Sequence, residues 1–406
     1  MTAGTAWSSE VRPTTARPGL FEGLSYPLAR ELLCHVCIAP DAPLPDALVE
    51  ATAAAQAWPW LVSAARRTGL VALLWSRLTP GQRDLVPLPV RDELSALHLG
   101  CAVSYAAAQR QLARCLSELG AAGITVIVLK GAAIASTLYP DPSTRLLADL
   151  DLLVADDDLS RARECLVGHG VAPRPSDHLH ESPAAVPDEA FPVELHAISR
   201  HLRWWPQSEP GDLLDRTREI RIGDTRPLTL NPVDTWLHLA CHGLRHAPRY
   251  WPRMAADLAR LVRSEAWNEE SWGRLLEPAR RARRRRLILV AACIAHGGGL
   301  PSQLSGMIDA HRAADAVRRA RIAWRIALDS TDLRSGPWVR AWTLDAPSDR
   351  AHELRRVLLP SLTRVAERSA LPRPLAAAAY PLAVAVEGLR SAWSGLRWGV
   401  SLWRYR

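Results

Sequence analysis

The chain has 406 residues, 48% of them hydrophobic and 23% charged, so it has the composition of an ordinary globular protein and is long enough for two or three domains. Its formal net charge of +8 is compatible with an anionic partner, such as a nucleotide, a nucleic acid or a lipid head group, without identifying one. No apolar run reaches the ~18 residues that span a bilayer, which argues against a membrane-spanning protein. Seven scattered cysteines and the lack of a secretory signal predict a reduced, cytoplasmic setting.

The first part of the chain is predicted to be helical after a loose tail. Residues 1–18 are rich in Thr, Ser, Ala and Pro and show little periodicity, which indicates a loose tail. Beyond them apolar residues recur at helical spacing, and 102–119 has the pattern of one long helix that ends in small residues beginning at Gly120. We therefore expect an N-terminal helical region over 19–120.

The next segment contains the chain's only lysine, Lys130, against 49 arginines. It follows 124–129, a β-branched and nearly unbroken apolar run that predicts a strand buried on both faces. A helix predicted over 131–138 would direct its first amides back toward Lys130. Lysine is a compact, flexible point charge, so a tight site that faces phosphate can require it and refuse arginine. The alternative is that Lys130 is a surface residue retained by chance.

Two carboxylates follow in a second predicted strand, 148–154. Residues i and i+2 of a strand face the same side, so Asp149 and Asp151 would project together. Adjacent buried carboxylates repel each other unless a cation neutralises them, and Mg²⁺ is commonly shared between carboxylates and substrate phosphates. This pattern predicts a magnesium site, whereas an edge strand with both side chains in water is the alternative.

A third carboxylate, Glu194, lies in a further predicted strand over 191–197, and His196 shares its strand face. If this strand lies beside the aspartate pair, Glu194 could complete the metal site or accept the proton of an attacking hydroxyl. The alternatives are a solvated strand residue for Glu194 and a hydrogen-bonded structural histidine for His196.

These motifs together carry a resemblance. Their order and spacing resemble the uncharacterised bacterial nucleotidyltransferase-like family of the DNA polymerase β-type nucleotidyltransferase superfamily. They are also similar to kinase-like or AMP-transferring toxin relatives that begin with a Lys-Gly-Gly turn. The resemblance extends over about 25–265, and the runs that carry it are Leu129-Lys-Gly131, Leu138-Tyr139, Arg145, Asp149-Leu-Asp-Leu-Leu-Val154 and Val193-Glu-Leu-His196, with a helical segment ending in Arg253-Met-Ala-Ala-Asp257.

The resemblance implies roles for single residues. Asp149 and Asp151 would bind Mg²⁺ or Mn²⁺, and Glu194 would be the third acidic residue. Gly131 would bring its amide to the nucleotide phosphates. One departure is that the usual Gly-Ser or Gly-Gly pair is Gly131-Ala132 here, which removes one phosphate contact. Either Lys130 substitutes for this contact, or phosphate binding is weak.

Arg145 is a further candidate for binding a nucleotide phosphate. The alternative is an arginine in a surface loop.

The rest of the chain is predicted to be helical, with a helical domain over 231–330 and a basic helical region over 331–406. In the last helix, five apolar residues form one stripe, beside arginines at a seven-residue step. Such a helix could lie on a membrane surface, but we expect it to pack on the protein's own core. Exposure of both tryptophans of the stripe would contradict this expectation. The stripe consists of Leu389, Trp393, Leu396, Val400 and Trp403.

The expected fold class is α+β, with a small mixed-sheet nucleotidyltransferase core over 121–230 between N-terminal and C-terminal helical regions. The expected activity is a metal-dependent transfer of a nucleoside monophosphate from an NTP to an acceptor. The acceptor stays open among a small molecule, a peptide, a protein and tRNA. The alternatives are an NTP-dependent phosphotransferase that uses the same site, and a non-catalytic module that binds a nucleotide or a partner.

Overall fold

The computed structural model has a small sheet between two groups of helices, so the predicted α+β class with helical flanks is confirmed. The predicted loose tail over 1–18 lies outside the described residues. Among the described helices, none is both long and apolar enough to cross a bilayer. The structure describes 20–40, 42–168, 172–173, 182–185, 191–198, 210–245, 248–264, 267, 269–281, 283–328, 336–345, 347–348, 350–351, 381, 384–385, 389, 393, 396–400 and 403.

Seven strands form one mixed sheet in the order β3-β4-β5-β2-β1-β7-β6. β2 pairs with β1 in antiparallel and with β5 in parallel orientation, and β1 pairs with β7 in parallel. The remaining pairs, β3 with β4, β4 with β5 and β6 with β7, are antiparallel. The strands are β1 (Ile127–Val128), β2 (Leu150–Val154), β3 (Ala172–Pro173), β4 (Ser182–Ala185), β5 (Pro192–Ala197), β6 (Thr217–Glu219) and β7 (Leu228–Leu230).

Helices precede, connect and follow the strands. The long helix predicted over 102–119 is confirmed and begins earlier, at Leu88. Before the sheet lie α1 (Pro27–Ile38), α2 (Asp46–Ala54), α3 (Trp58–Thr68), α4 (Val71–Arg77), α5 (Pro80–Asp84) and α6 (Leu88–Ala121). Between strands lie α7 (Lys130–Leu138), α8 (Leu159–Gly168) and α9 (Pro210–Asp215). After the sheet lie α10 (Pro232–Arg245), α11 (Trp251–Ser264), α12 (Glu269–Arg281), α13 (Arg285–Ala295), α14 (Ala310–Ala327) and α15 (Gly336–Thr343).

The first strand is shorter than the sequence predicts, because only two residues of the apolar run pair with β2. Its burial on both faces is confirmed. Val128 packs in the cluster that includes α6 and α8, whereas Ile127 packs on the opposite face with Leu153 and Leu230. Alternating side chains of this strand therefore serve two different apolar layers.

The helices before and after the sheet share one large apolar core. Side chains of α1, α3 and α4 pack in it together with those of α10, α11, α13 and α14. Five of the largest fully buried side chains are tryptophans from both groups of helices: Trp58, Trp236, Trp251, Trp272 and Trp324. Because burial of a large apolar side chain contributes about 1.5–3 kcal/mol, this shared core is a major source of stability.

A buried carboxylate joins α11 to the segment before β2. Asp257 accepts a hydrogen bond from the Tyr139 hydroxyl at 2.7 Å and an ion-paired bond from Arg145 Nη2 at 2.9 Å. Both Asp257 and Arg145 have nearly inaccessible side chains. This contact joins α11 to the segment that leads into β2, the central strand of the sheet.

The last helical residues contradict the expectation of packing. Trp393 and Trp403 are 63% and 79% exposed, and the other three residues of the stripe are also exposed. Only Trp398, which is not part of the stripe, is buried there among the described residues; its ring lies 5.7 Å from that of Trp342 and 6.3 Å from that of Trp251. The helix therefore contacts the core with the face opposite to the one that was expected to do so.

Asp257→Ala should lower the free energy of unfolding by about 3–5 kcal/mol, because it leaves the buried Arg145 guanidinium without its counter-charge. Tyr139→Phe removes a neutral donor from the same carboxylate and should cost only about 0.5–1.5 kcal/mol. Denaturant unfolding of both variants measures the difference. Equal losses in the two variants would show that the ion pair does not stabilise this junction.

Candidate active site

Asp151 lies in the middle of the sheet and is almost completely buried. Its Oδ1 atom accepts two contacts, from Lys130 Nζ at 2.5 Å and from His196 Nε2 at 2.8 Å. Burial would raise the pKa of Asp151, but the nearby Lys130 and His196 outweigh burial and hold this pKa well below its usual range. The carboxylate is therefore ionised, and its charge is balanced inside the protein.

Lys130 reaches Asp151 because of how β1 ends. The Leu129 N–H donates to the Asp151 carbonyl at 2.9 Å, and α7 begins at the next residue. Lys130 has a positive φ of 45°, which is uncommon for a residue with a side chain. Burial would lower the pKa of Lys130, but Asp151, Asp149 and Glu194 outweigh it and raise this pKa. The ammonium group therefore stays charged within a cluster of carboxylates.

Glu194 and His196 come from β5, which pairs in parallel with β2. The register places Glu194 directly beside Asp151. The strand of Glu194 thus lies beside that of Asp151, which is the condition on which the predicted role of Glu194 depended. Glu194 Oε2 lies 3.8 Å from His196 Nε2. Asp151, Glu194 and His196 each offer one ligand atom within 4.8 Å of the others, which is close enough for a shared metal ion.

Asp149 precedes β2 by one residue and does not belong to that group of three. It is half-buried and feels the charges of Asp151, Lys130, Arg145 and Arg253. Burial and the repulsion from Asp151 raise the pKa of Asp149 to about 6, although the three cations act against this shift. The ionised form is therefore disfavoured at Asp149 and favoured at Asp151.

The residues present fit a divalent cation in one specific respect. While Asp151 Oδ1 takes both donors, Oδ2 is buried and has no hydrogen-bond partner among the described residues. A buried carboxylate oxygen without a partner is costly, and a metal ion is one group that satisfies it. The carboxylate oxygens of Asp151 and Glu194 suit Mg²⁺ and Mn²⁺ alike.

Gly131 follows Lys130 at the start of α7 and is tightly enclosed. A methyl group added at its Cα would lie 2.9 Å from Leu147 Cδ2 and 3.2 Å from Arg145 Nη1. Only glycine fits this position without displacing a neighbour. Its predicted contact with nucleotide phosphate stays a prediction.

Arg145, a predicted nucleotide-binding residue, is held by Asp257, and its Nη1 also donates to the Leu146 carbonyl at 3.0 Å. The structure thus shows an arginine with internal partners, and a phosphate contact by Arg145 stays a prediction. Beside it lies Arg253, for which the structure describes a ring contact with Tyr250 at 5.4 Å but no ion pair. Burial and the like charge of Arg145 lower the pKa of Arg253.

Sequence reasoning missed the environment of Arg253 and the pairing of Asp257. Both residues lie on α11 and are four apart, which places them on the same helix face. That spacing was visible in the sequence, but the partner of Asp257 is 112 residues away along the chain. His196 was considered mainly as a structural histidine, and it does contact a carboxylate.

A comparison with known families identifies the chain. The model of a family described as uncharacterised nucleotidyltransferase matches residues 54–297, which is more than half of the chain. The match includes all the strands and every residue of the candidate site. No curated protein matches the chain.

Asp151→Asn should destabilise the metal-free protein by about 3–5 kcal/mol, because the buried Lys130 ammonium loses its counter-charge. Thermal and denaturant unfolding in the presence of a chelator measures this loss. A variant as stable as the parent would contradict the proposed balance of charge between Lys130 and Asp151.

Asp149→Asn should have the opposite effect, because the raised pKa of Asp149 means that its ionised form is disfavoured by folding. Its contribution to stability is present below the unfolded-state pKa and is lost as pH rises through about 6. The difference in free energy of unfolding between the variant and the parent should therefore change by about 1–2 kcal/mol in favour of the variant from about pH 5 to about pH 8 without metal. An advantage that shrinks with rising pH would show that the sign is wrong.

Proposed function

The chain belongs to this nucleotidyltransferase family, and we propose that it transfers a nucleoside monophosphate from an NTP to an acceptor hydroxyl and releases pyrophosphate, with the help of a divalent cation. The observation that carries this proposal is the row formed by Asp151 and Glu194 on paired strands, with Lys130 at the end of the adjacent strand. It combines carboxylates for a cation with a fixed positive charge for phosphate.

Asp149, Asp151 and Glu194 would hold Mg²⁺ or Mn²⁺, with Oδ2 of Asp151 as one ligand atom. A cation bound there would supply positive charge for the attacking and leaving oxygens of an in-line displacement. His196 has a positioning role, since its Nε2 contacts Oδ1 of Asp151, whereas Oδ2 has no donor in the part of the chain that the structure describes. Lys130 Nζ also contacts Oδ1 of Asp151 and keeps this carboxylate ionised.

Two cations and one amide are suited to the triphosphate. Lys130 has three N–H donors and uses one of them for Asp151, so donors remain for a phosphate oxygen. Arg253 brings a guanidinium near Asp149 without an acidic partner among the described residues. The Gly131 amide lies in the first turn of α7, where N–H groups without helical partners can donate to a phosphate.

Glu194 is suited to accept a proton, because its side chain is more accessible than that of Asp151. In the proposed reaction the acceptor oxygen forms a bond to the α-phosphorus, and the bond from this phosphorus to the pyrophosphate oxygen breaks. The proton of the acceptor hydroxyl passes to Glu194. Positioning and electrostatic stabilisation supply most of the catalysis in such phosphoryl transfers.

Two other functions use the same residues. A phosphotransferase would direct the acceptor to the γ-phosphorus and release a nucleoside diphosphate in place of pyrophosphate. A non-catalytic module would bind nucleotide and release neither product. Product analysis by chromatography with each of the four NTPs, in Mg²⁺ and in Mn²⁺, distinguishes the three.

Asp149→Asn should abolish metal-dependent pyrophosphate release and leave the protein folded, because it removes a cation ligand and a repulsive charge together. Asp157→Asn is the matched control, since Asp157 is an exposed aspartate shortly after the same strand. Pyrophosphate release with the best NTP is measured for the parent and both variants. A fully active Asp149→Asn enzyme would contradict the proposed role of Asp149 in binding the metal ion.

Lys130→Arg should weaken nucleotide binding by about 1–3 kcal/mol, the range for hydrogen bonds to charged groups. The planar guanidinium keeps the charge but cannot occupy the same enclosed position beside Asp151. Titration calorimetry of the folded variant with a non-hydrolysable NTP analogue measures the loss. Unchanged affinity would mean that Lys130 serves Asp151 alone.

A further inference from the structure

The last helical residues present an apolar stripe to solvent. The described residues here, 389, 393, 396–400 and 403, are all helical. At about 100° per residue, the five members of the stripe fall within an arc of roughly 80°. Their exposed fractions are between 53% and 79%, for Leu389, Trp393, Leu396, Val400 and Trp403.

Trp398 shows which way this helix faces. It follows Leu389 by nine residues, which places it about 180° around the helix from that residue. Trp398 is buried and contacts the rings of Trp251 and Trp342 in T-shaped arrangements. The helix is therefore anchored by one face while the stripe lies on the opposite face, away from the core.

Such a stripe is unlike the other exposed apolar residues. Single exposed apolar side chains are ordinary on a protein surface, but a contiguous row that includes two tryptophans indicates an interaction surface. Tryptophan is also a residue that favours the boundary between water and lipid, because its ring is apolar and its N–H is polar.

The charge of the segment distinguishes the possible partners. Residues 388–406 contain four arginines and no acidic residue, and three of the arginines recur every seven residues: Arg390, Arg397 and Arg404. A second copy of the helix would bring the same positive charges together, which is unfavourable. A surface of anionic lipid head groups has the opposite charge and accepts apolar side chains beneath it.

We propose that this C-terminal helix docks on an anionic lipid surface, with the stripe inserted among the lipids and the arginines at the level of the head groups. In this arrangement the helix lies along the lipid surface. Trp398 stays in the protein core and couples the attached helix to the helical region. This surface is separate from the candidate active site.

Co-sedimentation of the full chain with vesicles tests the proposal. The protein should bind vesicles of equal parts phosphatidylglycerol and phosphatidylcholine, and pure phosphatidylcholine only weakly. The double variant Trp393→Ser/Trp403→Ser should reduce binding to the anionic vesicles by about tenfold or more. Raising the salt to about 1 M should also reduce it, because the Debye length falls to about 3 Å.

The matched control is Leu99→Ser/Val103→Ser, which removes two equally exposed apolar residues from α6. This variant should bind anionic vesicles like the parent. Equal binding of the parent to neutral and anionic vesicles, or no binding to either, would overturn the proposal. So would sedimentation analysis that shows self-association of the parent, lost in Trp393→Ser/Trp403→Ser, since the stripe would then join two copies.

Discussion

The ionised carboxylate of Asp151 in the middle of the sheet is the constraint on which the candidate site depends. An isolated charge at this depth would cost several kcal/mol, so the fold must provide partners for it. Lys130, at the start of α7 just after β1, and His196, in β5, supply them from the two sides of β2. Their reach requires both the turn at the end of β1 and the parallel register of β5. A shift of one residue in either strand would bury the charge without its partners.

This central charge is held in place by the helical regions on both sides of the sheet. Asp257 on α11 fixes Arg145 just before β2, and Arg145 in turn lies against Gly131 beside Lys130. The helices before and after the sheet share one apolar core, so α11 is supported by residues from the first hundred positions of the chain. The position of the candidate site therefore depends on packing throughout the described part of the chain, although Lys130, Asp151, Glu194 and His196 lie within 67 positions of one another along the sequence.

The sequence predicted the parts of this site that follow from local rules. Strand propensity located the segments of β2 and β5. Asp149 lies one residue before β2, and its joint role with Asp151 stays a prediction. The sequence could not show that Oδ1 of Asp151 is bound by Lys130, because this contact depends on strand pairing between residues 21 positions apart. The pairing of Arg145 with Asp257 is more distant still. The orientation of the last helix was predicted wrongly, because both of its faces carry tryptophan and periodicity alone does not say which one meets the core.

The pKa values of the two aspartates of the motif are shifted in opposite directions: that of Asp151 is lowered and that of Asp149 is raised. Internal partners hold Asp151 in its charged form, so its state does not depend on what binds. Burial and the repulsion from Asp151 raise the pKa of Asp149 to about 6, so its ionised form is disfavoured. An arriving divalent cation would relieve the repulsion at Asp149 and satisfy Oδ2 of Asp151 together. Lys130 and His196 already orient Asp151 without a cation. Binding a cation in the proposed way would therefore need little rearrangement of the sheet.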